Sequence, residues 1–119
     1  MIMREIKFRG WDVIGNKWVY GDLVHNQKVT QTGLEPRVMV GGYEVDPESV
    51  GQFTGKRDIH QKEVYEHDVT KITIHDEDIV TAVVTYNAEM CAFLHEVSGE
   101  GGFCMYGECE VIGSVYCQN

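Results

Sequence analysis

The sequence predicts a mainly β fold of short strands with at most short helical turns, and three observations predict it. β-Branched and aromatic residues recur in short runs along all 119 residues. Glycine is abundant at 13 and proline scarce at 2, the balance expected where glycine turns join strands. No segment sustains a helical period beyond two turns. Hydrophobic residues make up 43% of the chain, enough to fill a core. The length suits one domain, 1–119, with a subdivision into an N-terminal β region (1–55) and a small barrel (56–119) as the alternative.

In the first half, "REIKFRGWD" alternates, Ile6 and Phe8 on one face against Glu5, Lys7 and Arg9 on the other, as a half-buried strand does. Gly15-Asn16 supplies a turn tolerant of positive φ, and "KWVYGDLV" returns as the second strand of a hairpin. The polar stretch "HNQKVTQTGLE" reads as a ribbon or a mobile loop, followed by a short strand "PRVMV", a Gly41-Gly42 turn and "YEVD". Asp46 before Pro47 and Glu48 predicts a one-turn helix start, after which "SVGQFTG" is extended.

The second half is more regular. "VTKITIH" and "IVTAVVTYN" are strand-like around "DED", a solvated hairpin tip whose charges discourage edge pairing. "CAFLHEV" predicts another strand, "SGEGGF" a flexible loop, and "ECEVIGSVYCQN" a closing strand. About five short strands here suit a small closed barrel.

Lys and Arg number 10 against 19 Asp and Glu, a net charge of −9, the opposite of what phosphate binding requires. A local basic patch could still form from Arg4, Lys7, Arg9, Lys56, Arg57 and Lys62. The charged start "MIMREIKFRG" lacks the apolar core of an export signal, and no run approaches the ~20 apolar residues of a membrane span. A cytoplasmic chain with reduced thiols is therefore expected. Cys91, Cys104, Cys109 and Cys117 form no C-x-x-C pair, so they read as small apolar side chains on strands. A metal site would have to draw on Cys104, Cys109 and His75 or His95. Ser49, Ser98 and Ser114 lie in no nucleophile elbow, and "GEGGF" precedes no helix that could hold a phosphate. The expectation is no enzyme, no cofactor and no metal.

The opening "MREIKFRGWD" with "KWVYGDL", then "VDPESVGQFTG", "KEVYEHDV" and the ending "CEVIGSVY" resemble the YopX family of bacteriophage and prophage proteins. Residues 25–40 match least. The resemblance implies a mostly β protein whose C-terminal half is a small Src-homology-3-like barrel, and implies no activity. Its motif residues here, all structural, are Gly10, Trp11, Tyr20, Asp22, Gly51, Gly55, Asp58, Tyr65, Asp68 and Gly113. The family pattern has Asn-Gly where this chain has His60-Gln61, and Gly in place of His67. His67, between Glu66 and Asp68, therefore reads as a residue in a turn rather than a general base.

Three functional readings follow. The first is a non-enzymatic binding or adaptor module with an unknown protein partner, capable of self-association because a small chain of many strands must cover its edges. Trp11, Trp18, Tyr20 and Tyr43 are its candidate contact residues, set against the simpler role of core packing. The second is a nucleic-acid-binding barrel, which requires the six cations to converge. A metal-site enzyme is third.

Overall fold

The structure is a computed structural model that describes residues 4–75, 77–105 and 107–116. The chain is mostly β-strand, and the only helical segment among these residues is a 3-10 turn, Pro47–Ser49. It divides into two compact units, one ending at Gln52 and the other beginning at Phe53.

In the first unit, β1 (Phe8–Asp12) and β2 (Lys17–Gly21) form an antiparallel hairpin with Trp11 opposite Trp18. Asp12 closes the turn by accepting the Gly15 N–H at 3.0 Å, and Asn16 takes φ 55°. β3 (Leu23–Thr30) and β4 (Gly33–Val40) are paired along all eight residues, and β5 (Tyr43–Glu44) adds to the end of β4. Residues 25–35 are thus a ribbon and not a mobile loop, and "PRVMV" is the second part of a longer strand.

The Gly41-Gly42 turn has φ 59° and 89°, and a side chain at Gly41 would strike the Tyr20 carbonyl oxygen. Asp46 caps the 3-10 turn by accepting the Glu48 N–H at 3.0 Å. The start of β6 (Gly51–Arg57) pairs with β1, Gly51 against Arg9. Val19, Val40 and Val45 form the core, with Phe8, Leu23, Val38 and Val50 packed against them. A Cβ on Gly10 would lie 2.8 Å from the Val45 side chain, so this strand position needs glycine for close approach.

In the second unit, the rest of β6 pairs with β7 (Glu63–Tyr65) across a register shift that contains Gly55, at φ 91°. β8 (Asp68–Ile74), β9 (Asp78–Asn87), β10 (Ala92–Val97) and β11 (Gly101–Cys104) follow as a meander. β12 (Cys109–Ser114) returns beside β8, giving the antiparallel order β11-β10-β9-β8-β12. This sheet is curled into a half-barrel. Alternate residues of β8, Ile72 and Ile74, face Ala82 and Val84 of β9, Val97, Cys109 and Val64 in its core.

Two expectations need correction. "SGEGGF" is not a loop throughout: Gly101 onward is strand β11, because its backbone completes the ladder with Val97 to Leu94. Nor do the cysteines share one environment. Cys109 is buried on β12, whereas Cys104 on β11 and Cys91 in the β9–β10 turn are exposed; Cys117 lies outside the described residues.

Candidate interaction surface

The residues around "DIHQKEVYEHDV" are held by main-chain bonds. Asp58 is buried and accepts three N–H bonds, from His60 and Lys62 at 2.9 Å on Oδ1 and from Val111 at 3.0 Å on Oδ2. Burial pushes its carboxyl up, but the Val111, Lys62 and His60 N–H groups with the His60 charge outweigh it and hold it below the ordinary value. Asp68 accepts the Tyr65 N–H at 2.7 Å. Between them, His67 has φ 76°; its N–H donates to the Val84 carbonyl at 2.7 Å and its carbonyl accepts the Val115 N–H at 2.8 Å. The ring stands 3.9 Å from Glu66. Of His60-Gln61, Gln61 alone takes positive φ, 65°.

Several other motif residues make contacts within their own unit. Trp11 donates its N–H to Ser49 Oγ at 2.7 Å and meets Trp18 edge to face at 5.3 Å, and Trp18 lies beneath the buried Arg9 guanidinium. Tyr65 donates its hydroxyl to Glu63 and packs on Phe53. The Asp22 carbonyl accepts the Gly41 N–H at 3.1 Å, and Gly113 marks the register shift of β12 against β8. Of the four candidate contact aromatics, Trp11 and Trp18 are partly buried, while Tyr20 and Tyr43 are 51% and 48% exposed.

Among the described residues no three of His, Cys, Asp and Glu are grouped to hold a metal ion. Arg9 is buried, Lys7 lies 3.6 Å from Glu5, and Arg57 lies 3.3 Å from Glu63.

Exposed apolar side chains of the first unit lie at Val13 and Ile14 in the β1–β2 turn and along the β3–β4 ribbon. By alternation, Leu23, His25, Gln27 and Val29 share a face with their partners Val40, Val38, Pro36 and Leu34. This face is mostly apolar. Its inner end, Leu23, Val38 and Val40, belongs to the unit core, while Val29 and Leu34 at the outer end are 83% and 63% exposed. The opposite face is polar and cross-tied: Arg37 donates to Asn26 at 2.8 Å and Lys28 to Glu44 at 2.7 Å.

The two edges of the ribbon differ. The Val38 carbonyl points outward from β4 and accepts the Val45 N–H at 3.0 Å. Pro36, two residues earlier, faces the same way, so its missing N–H lies on that edge and blocks a further strand. On β3, the main-chain groups of Leu23, His25, Gln27 and Val29 point outward by the same alternation. β4 is the only strand paired with β3 among the described residues. The sequence left a ribbon and a mobile loop as alternatives here because the outer half is polar in composition; the alternation is visible only when both strands are set in register.

No helix of the described residues is long and apolar enough to cross a membrane. No curated protein matches the chain at a significant level. Among solved structures it is similar to the crystal structure of protein EF1440 from Enterococcus faecalis, with 18% identity, 95% of this chain and 94% of that one covered, and a TM-score of 0.54. At that identity the likeness shows the fold alone. The model of the family described as YopX protein matches residues 7–119. With that match over nearly its whole length, the chain belongs to the YopX family.

Proposed function

We propose that this chain is a non-catalytic protein-binding module of bacteriophage or prophage origin, acting in the host cytoplasm, and that its first partner is a second copy of itself joined through β3. The carrying observation is the eight-residue edge of β3, which has no strand on one side among the described residues, while the β4 edge is blocked by Pro36 and closed by β5. Two-stranded ribbons are marginal in water, and a further strand supplies the missing ladder. An antiparallel, two-fold pairing centred on Gln27 sets His25 opposite Val29 of the second copy and Asn26 opposite its Lys28. No like charges then face each other, and each Lys28 is already neutralised by its own Glu44.

The nucleic-acid reading has less support. Of its six cations, Arg9 is buried and Lys7 and Arg57 lie beside carboxylates. Sedimentation velocity from micromolar to submillimolar protein tests the proposal. The expected result is a concentration-dependent dimer that is lost in Gln27→Pro, which removes an outward N–H and leaves the bonds to β4 in place. A monomer at every concentration would contradict it.

A further inference from the structure

The five histidines of this acidic chain stand in different surroundings. His60, His67 and His75 each lie beside a carboxylate, Glu110 at 3.0 Å, Glu66 at 3.9 Å and Glu100 at 3.6 Å. His95 is buried, and burial, then the charge of Lys56, lowers its pKa. His25 is exposed and makes no hydrogen bond or ion pair among the described residues. No other residue on its face of the β3–β4 ribbon is titratable. The ribbon's charged side chains, Lys28, Glu35 and Arg37, alternate to the opposite face. Phe8, Val19, Val45 and Val50, packed with the inner end of this face, are all apolar. A proton on His25 therefore finds no anion.

In the two-fold pairing through β3, His25 stands between Val38 of its own β4 and Val29 of the second copy, with Leu23 and Gln27 to either side along the strand. Directly opposed side chains have Cβ atoms about 5 Å apart, so the two valines flank the ring. The His25 of the second copy is about 14 Å away along the ladder, too far to touch. A neutral ring packs on valine, whereas a charged one gives up water there and gains no carboxylate. Resting on the β3 pairing proposed above, we infer that His25 makes this self-association pH-dependent: the dimer forms with both rings neutral and comes apart as they take up protons. The dimer then binds fewer protons than two monomers. Pairing is complete above the ordinary imidazole range, about pH 6.5, and is lost as pH falls through it. Net charge acts with the opposite sign. Protonating histidines moves the chain from −9 toward zero, which by itself strengthens pairing as pH falls.

The test is sedimentation velocity of the full chain from about pH 8 to about pH 6 at fixed salt, for the parent, His25→Val, His25→Gln and Gln27→Pro. The parent dimer should weaken about tenfold over this range. His25→Val and His25→Gln, both exposed changes that keep the fold, should show no weakening as pH falls, and His25→Val should pair at least as tightly as the parent at pH 8. A dimer that is lost in Gln27→Pro, yet holds or tightens in the parent as pH falls, would overturn the role of His25 and leave the β3 pairing standing. So would equal weakening in the parent and both His25 variants. No dimer at any pH, or one that survives Gln27→Pro, would overturn both.

Discussion

At residue scale, the chain spends its titratable groups on holding backbone. Asp58 substitutes for a neighbouring strand, taking the Val111 N–H of β12 while closing the β6–β7 turn. Asp58→Ala is expected to cost about 3 kcal/mol in denaturant unfolding, because buried N–H groups lose a charged acceptor. Since its folded pKa lies below the unfolded value, this contribution is present above about pH 4 and lost as pH falls through the folded pKa. The stability gap between the parent and Asp58→Asn should therefore shrink in that acidic window.

His95 carries the same sign at higher pH. Its folded pKa is depressed, so its contribution is intact above about pH 6.5 and declines as pH falls below that. Unfolding followed from pH 7.5 to 5 should show that slope, and His95→Phe should remove it. At His67 the left-handed backbone, bonded at both N–H and carbonyl, sets the expected effect of substitution. His67→Gly should match or exceed the parent in stability, whereas β-branched His67→Val should lose about 2 kcal/mol, measured by thermal unfolding. The turn role of His67 was legible from the glycine expected there. The three-bond role of Asp58 was not, because Val111 lies far away in sequence.

At element scale, the strands of the second unit were legible because burial on one face imposes clean alternation, as in "DVTKITI" with Asp68, Thr70, Ile72 and Ile74 inward. β11 was hidden because glycines at 101 and 102 imitate a loop, although their backbone is paired. The β3–β4 ribbon was legible only as one of two alternatives, for a different reason. His25, Gln27, Pro36 and Glu35 look like loop composition, and cross-strand ties to Asn26 and Glu44 take the place of a core. If the outer ribbon serves contact and not folding, Val29→Ser with Leu34→Ser should change unfolding stability by less than about 0.5 kcal/mol, since both side chains are already exposed. A larger loss would assign the pair to the unit's own stability.

For the whole molecule, the net charge of −9 decides the direction of salt effects. Copies of an acidic chain repel, and added salt screens that repulsion. Dimerisation should therefore strengthen several-fold between about 0.05 and 0.5 M NaCl. Binding through released phosphate counterions would weaken over the same range. The mainly β class and the family were legible in the sequence from four motifs in order, whereas the candidate surface lay in the segment those motifs leave out, residues 25–40. Amide hydrogen exchange, measured residue by residue as protein concentration rises, tests the edge-pairing proposal most directly. The N–H groups of His25, Gln27 and Val29 should gain protection together with dimer formation, while those of Asn26 and Lys28, already bonded to β4, stay constant. A dimer in which the His25, Gln27 and Val29 amides exchange as freely as in the monomer would contradict it.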